Sequence, residues 1–592
     1  MLHEDLRHAW RALRARPAFA LTVVLLMALT IGANTAIFSL IDSVLLSSLP
    51  YRGASRLVLV TGTRADSQTE PFSIADFLDI RERSRAFEAL VPAFQWSANL
   101  TGGEAERLQG MKTPAAFFAM LGAPMAQGRS FTDEDERNGR RVALIGHGLW
   151  IRRFGAAPGI VGSDITLNGE NYTVVGVLPP DFVTPIRDAE VIAPFVPASD
   201  PRRDVRDARF LRVIGRLAGG VTAAQAQADL SPIVARLQKT YPSTNGTIAG
   251  ARVEEWHRTL VSRARPPLLM LQGVAAFVLL VACANLANLF LVSAVRRQRE
   301  FAVRAALGGS RRHLARQVLI ESAMMAFAGA AAGLVLELWV RRSVLALAPT
   351  DWLVAASEVS IDWRLLTFTV VTTSLAALAF GSLPAWRVAS ADPGTLLQGA
   401  NRDEAAAVGR GVRRTLVAIE VALATALVLT TVLLSDSFAR LQSVDPGFRG
   451  DHLLTVRLSL PRGRYAHRDD VKQFIDVLRP RLLALPGVVD AAAVNVVPLN
   501  NYFATADLWR ADRAAPPPDQ VPEAHYRMIT ASYFQTFGVP VLSGRVFDEH
   551  DTEASPPVVL VGRRLAERLW AGETPLGRDV VLSDSPVTRQ AT

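Results

Sequence analysis

The stretch Phe19–Leu49, FALTVVLLMALTIGANTAIFSLIDSVLLSSL, holds a single charged residue, Asp42, and follows Arg7, Arg11, Arg14 and Arg16. A secretory signal peptide has an apolar core of only about 7 to 15 residues, so this run reads as a retained membrane helix. At about 1.5 Å of rise per residue it would reach about 46 Å, beyond a hydrocarbon core of about 30 Å. The surplus is expected to tilt or to project outward as a stalk.

Four further apolar runs follow, Leu268–Val295, Val318–Val340, Leu365–Trp386 and Leu416–Leu434, each near the roughly 20 residues that a helical span needs. Half of the 592 residues are hydrophobic, which suits several spans joined to polar domains better than one soluble globule. The formal net charge of +9 does not point to nucleic acid. Lysine occurs only at Lys112, Lys239 and Lys472, and the arginines concentrate beside the apolar runs. The one cysteine, Cys283, lies inside a run, so no intrachain disulfide can form.

Positive-inside logic puts the N-terminus, Arg296–Arg316 and Arg387–Arg414 on the cytoplasmic side. Residues 50–265 and 436–592 then lie outside, with a short loop at 341–364. Arg341 and Arg342 run against the rule, and snorkelling at a helix end accommodates them. The expected order is a cytoplasmic N-terminus (1–16), a transmembrane or stalk helix (17–49) and an outer domain (50–265). A three-helix membrane domain (266–390) with a cytoplasmic loop (296–317) comes next. A linker (391–414), a fifth membrane helix (415–435) and a second outer domain (436–592) complete it.

The outer stretch 50–265 mixes strand and helix signals, so an α+β class is expected. Arg56–Thr61 reads as a strand and Ile74–Leu90 as an amphipathic helix. Asp164–Leu167 turns at Asn168-Gly169 into Tyr172–Val177, a hairpin. A helix is expected near Ala223–Gln238.

A long repeat is the most informative pattern. Phe117, Phe118, Gly122, Gly128, Arg129, Phe131 and Gly146 recur as Tyr533, Phe534, Gly538, Gly544, Arg545, Phe547 and Gly562, always 416 residues later. After one deletion Gly162, Asp164 and Leu167 pair with Gly577, Asp579 and Leu582. The unit is one helix, an outer domain and three helices. Beyond Leu582 no clear equivalent of Tyr172–Phe182 follows, nor further spans, so the second copy reads as incomplete, either a fragment or a truncated variant.

No reaction chemistry emerges. No lysine follows a glycine, so a phosphate loop ending in Gly-Lys-Ser/Thr is absent. The histidines lack ligand spacing and Gly-x-Ser-x-Gly does not occur, so neither an enzyme, a metal site nor a cofactor is expected. The acidic run Asp133–Glu136 reads as a solvated loop. Asp42, Glu321, Glu337 and Glu420 sit within or near the ends of the apolar runs, where a proton relay is the alternative to simple helix-margin placement.

The segment Arg296–His313, RRQREFAVRAALGGSRRH, places Phe301, Ala305 and Leu307 among arginines and ends on Gly308-Gly309. This suits a short amphipathic helix along the inner surface. It is either a topology signal or a coupling helix that docks into a groove on an ATPase.

Arg299-Glu300 through Gly308, with Gln317 and Glu321 entering the next span, resembles the cytoplasmic signature of MacB/FtsX-type ABC permeases. Arg11–Pro50 and Val174–Phe182 are similar to that family's first helix and periplasmic core domain. The duplicated layout is most similar to the duplicated orphan permeases of acidobacterial type. The resemblance implies an α-helical membrane protein with α+β extracytoplasmic domains, a MacB/FtsX-like permease with an internal duplication whose second copy is incomplete. It further implies a multi-pass protein of the inner (plasma) membrane, in contact with lipid, that works with a separate LolD-like or MacB-like ABC ATPase and a periplasmic or outer-membrane partner. The positions that would couple to the ATPase are Arg299, Glu300, Arg304 and Gly308. Export or mechanotransmission is the expected function. A membrane-anchored scaffold or sensor acting without ATP is the alternative, and a secondary transporter would need more charge at mid-membrane than these runs carry.

Overall fold

The computed structural model describes residues 11, 14, 16–47, 49–64, 68–103, 105–186, 189–262, 264–297, 310–347, 363–390, 402–460, 465, 467–499, 505–516, 521–548, 550–552, 554–584 and 587–591. The chain divides into two compact units, one of residues 1–48 and 260–444, the other of residues 49–259 and 445–592.

The first unit is helical: α1 Pro17–Ile41, α2 Arg265–Arg296, α3 Arg311–Leu347, α4 Trp363–Ser390 and α5 Arg402–Ser443. Among the described residues, five helices are long and apolar enough to cross a membrane. Pro17 opens α1, where the missing N–H is no loss, and a π-helical turn, Asp42–Leu46, ends it. Small residues set the α1–α3 crossing. A Cβ on Gly32 would lie 2.8 Å from the Gly333 carbonyl oxygen, and one on Gly329 would lie 2.5 Å from Met27 Cβ. Ala28/Gly32 and Gly329/Gly333 thus form two facing small-xxx-small pairs that let backbones touch where lipid supplies no hydrophobic drive. Around them pack Val23, Met27, Ile31, Cys283, Leu286, Phe290 and Phe380.

Several polar groups inside this bundle are paired across helices, which a medium without water favours. Asn34 Nδ2 donates to the Ala275 carbonyl at 2.8 Å and its Oδ1 accepts from Gln272 Nε2 at 3.1 Å. Thr35 and Thr369 hydroxyls meet at 3.4 Å. Arg364 Nη1 donates to Asp42 Oδ1 at 3.3 Å, so that carboxylate is partnered at the end of the bundle.

The second unit is built on an 11-stranded sheet. Its main strands are β1 Leu57–Arg64, β2 Phe87–Thr101, β3 Glu106–Thr113, β4 Val142–Ile145, β5 Asp164–Leu167, β6 Glu170–Val177, β7 Val191–Pro194, β8 Arg212–Leu217 and β9 Ile248–Glu255. The spatial order is β9–β1–β8–β2–β3–β7–β4–β6, with β5 pairing both β2 and β6. The 15-residue β2 serves two cores. Its first half, Phe87–Ala93, pairs with β8, and its second half, Phe94–Leu100, pairs with β3. One core gathers Val58, Phe72, Phe77, Leu211 and Leu230, the other Leu108, Ile145, Leu167 and Val174. The helix Ala223–Thr240 backs the first, opened by a reciprocal capping box between Thr222 and Gln225.

The hairpin expected at Asn168-Gly169 is present, and both residues have positive φ, 54° and 82°, as a type I′ turn needs. Two expectations change. The helix at Ile74 stops at Arg83, and Ala86–Leu90 passes into β2, whose buried residues continued the apolar pattern. The acidic run is a short helix, Asp133–Arg137, with Asp135 buried as the third residue of a capping box on Thr132.

The repeat is visible in backbone and side chains. In the second copy β10 Thr505–Arg510, β11 Glu523–His525, β12 Val580–Asp584 and β13 Val587–Ala591 are ordered β11–β10–β12–β13. The first copy's β3–β2–β5–β6 has the same order. The hairpin β12–β13 therefore corrects the expectation that no equivalent of the strand beginning at Tyr172 follows Leu582. Gly122 and Gly538 close equivalent short helices at φ 63° and 62°. Yet Val558–Val561, the counterpart of the wholly buried β4, forms no strand. The strands that flank β4 in the first copy are β6 and β7, and no counterpart of β7 lies among the described residues.

Candidate coupling site

Helix α2 ends where Arg297 N–H donates to the Ser293 and Ala294 carbonyls, at 3.2 and 3.1 Å. Its guanidinium Nη1 donates to Glu321 Oε2 on α3 at 2.8 Å. Both side chains are largely buried, 12% and 10% exposed. Gln317 Nε2, one turn earlier on α3, donates to Glu321 Oε1 at 3.5 Å. A desolvated carboxylate needs such partners, because burying a charge alone is strongly unfavourable.

One turn back on α2, Ser293 Oγ accepts from Arg16 Nη1 at 2.9 Å, which ties in the residue that precedes α1. At the start of α3, His313 N–H donates to Ser310 Oγ at 3.3 Å, an N-cap contact. Leu314 and Val318 pack on Ala385, near the end of α4. The described residues on either side of 298–309 are thus Arg297, paired with Glu321 of α3, and Ser310, which caps α3.

Arg299, Glu300, Arg304 and Gly308 lie outside the described residues. Of the other positions in the signature, Gln317 and Glu321 are brought together with Arg297. In the sequence Arg297 is one arginine of a basic segment, and no local spacing joins it to a glutamate 24 residues on. Among the remaining carboxylates expected near the membrane, Asp42 meets Arg364, Glu337 is fully buried and Glu420 is half-buried.

Comparison with known proteins agrees with this layout. The family described as MacB-like periplasmic core domain matches residues 20–233 and again 414–588. The family described as FtsX-like permease C-terminal matches residues 273–393. The chain is 29% identical over 284 residues to the pyoverdine export ATP-binding/permease protein PvdT of Pseudomonas syringae pv. tomato, covering 47% of this chain and 40% of that one. It is 24% identical over 446 residues to the macrolide export ATP-binding/permease protein MacB of Syntrophobacter fumaroxidans, covering 63% and 58%. The chain therefore spans less than two thirds of either relative. Among solved structures, the periplasmic region of MacB from Actinobacillus actinomycetemcomitans aligns with 36% of this chain and 94% of its own, at 13% identity and a TM-score of 0.26. Two core-domain matches flanking one permease match, on a bundle of apolar helices and a repeated α+β unit, show that this chain belongs to the MacB/FtsX-like family of ABC permeases.

Proposed function

We propose that the chain is the permease subunit of an export or mechanotransmission complex in the inner membrane. A separate ABC ATPase, docking on the segment that contains Arg299, Glu300, Arg304 and Gly308, drives movement of the extracytoplasmic domains. The chain itself hydrolyses nothing. The observation that supports this most is that the described residues flanking 298–309 belong to the bundle, Arg297 through its ion pair with Glu321 and Ser310 as the cap of α3. A segment that only marks the cytoplasmic side needs arginines near the headgroups. A segment that receives force needs its ends fixed to the bundle.

The test is stimulated ATP hydrolysis by a co-purified ATPase reconstituted with full-length permease. Glu300→Arg keeps the segment positive while reversing one charge, and Gly308→Val bars the left-handed turn that a helix-ending glycine supplies. Both variants are expected to reach the membrane in normal amount and to lose stimulation. If both stimulate as well as the parent, the segment is a topology signal and the chain is better described as a scaffold or sensor.

A further inference from the structure

We propose that Arg297 and Glu321 form the pivot on which the α3–α4 ends turn when the cytoplasmic segment is displaced, a positioning pair that rests on the ATP-coupled reading above. Helix α3 starts at Arg311, so Glu321 lies ten residues into it, about 15 Å from its first residue at 1.5 Å per residue. Arg297 is the last described residue beyond α2. The first three turns of α3 therefore run on past the point where α2 stops. In that extension Leu314 and Val318 pack on Ala385 of α4, and Ser310 caps the end.

The geometry is that of a short arm made from α3 and α4, bounded by one buried ion pair with α2. Below the pair, α3 is locked to α1 by the glycine crossing at Gly329 and Gly333. Above it, Leu314 and Val318, with Ala315 and Leu319 beside them, pack on Ala385, and Ser310 caps the end. A push on the arm is then carried into the bundle through the charge pair, since pulling a largely buried guanidinium off its carboxylate is costly. Arg16, bonded to Ser293 one turn from the pair, gives α1 a direct share in the same point. A topology role for Arg297 would leave its guanidinium among water and headgroups, whereas it is largely buried on a carboxylate.

The experiment uses full-length permease with its co-purified ATPase in proteoliposomes, in parent, Arg297→Gln, Glu321→Gln and the exchange Arg297→Glu/Glu321→Arg. Membrane abundance, ATPase capture, and kcat and KM for ATP are measured for each. The single variants are expected to keep abundance, capture and KM within about twofold of the parent and to lose at least about tenfold in stimulated kcat. The exchange is expected to recover stimulation to within about threefold. Singles that stimulate like the parent overturn the pivot while leaving the coupling reading intact. Singles that fall in abundance or capture, with no recovery in the exchange, also overturn it and make the pair a folding contact. A parent that shows no stimulation defeats the coupling reading, and the pivot with it.

Discussion

Arg129 holds Asp135 through two hydrogen bonds, Nη1–Oδ2 at 2.6 Å and Nη2–Oδ1 at 3.2 Å, and Arg545 holds Asp551 in the same way, at 2.6 and 2.6 Å, 416 residues later. The agreement extends to a backbone donor, since Thr132 N–H meets Asp135 and Asp548 N–H meets Asp551, at 3.0 and 2.9 Å. A planar guanidinium presents a fork that matches a carboxylate, which is why this contact survives changes in the residues around it.

The pair should make the outer domain acid-sensitive. The Arg129 guanidinium holds the Asp135 carboxyl down to about 2, against an ordinary value of about 3.9. Its contribution is complete above about pH 4 and disappears as pH falls through about 2. Asp135→Asn is expected to cost about 1.5 to 3 kcal/mol at pH 7. Thermal unfolding of full-length protein in detergent should show the gap from the parent closing toward pH 2.

The glycine crossing predicts a sharp dependence on side-chain size. Gly329→Leu would place Cβ within 2.5 Å of Met27 Cβ, and overpacking of this kind costs about 1 to 3 kcal/mol or more. Gly273→Leu, at a position with nothing within 4 Å, is the control. Thermal midpoints in detergent should fall for the first and stay near the parent for the second.

Asn34 predicts a smaller effect despite its full burial. Its bonds to Ala275 and Gln272 resemble interhelical contacts that average about 0.6 kcal/mol, because the unfolded chain in a membrane also finds partners. Asn34→Leu should therefore shift the same midpoint less than Gly329→Leu does. A larger shift would mean that Asn34 organises the bundle.

Orientation is checked with single cysteines in a Cys283→Ser background. Ser130→Cys and Ser543→Cys are expected to react with an impermeant thiol reagent in intact spheroplasts, and Ser310→Cys only after permeabilisation. The reverse pattern would invert the topology.

Sequence periodicity made the helices legible because lipid imposes a length and a composition that few soluble segments share. The hairpin at Asn168-Gly169 was legible because two positive φ values restrict the residues allowed. The end of the helix at Arg83 was not, since Ala86, just before β2, and Leu90 within it are buried and extend the same apolar spacing. Asp135 was hidden among acidic neighbours, and only the fold shows that one of the four turns inward to Arg129. At the candidate site the signature named Gln317 and Glu321, while Arg297 acquires its role only when α2 and α3 lie side by side.

The contrast between Val142–Ile145 and Val558–Val561 has a practical side. The first four residues are buried within a sheet; in the second, Val558 and Val559 are 37% and 40% exposed and no ladder forms. A partly exposed apolar run outside any ladder is a template for strand addition from another molecule. Pro556-Pro557 stands directly before it, the position where natural sequences put residues that interrupt stacking. Solutions of this chain should accordingly tolerate concentration only while those prolines are kept, and Pro556→Val/Pro557→Val should bring on self-association that light scattering records before any loss of helix.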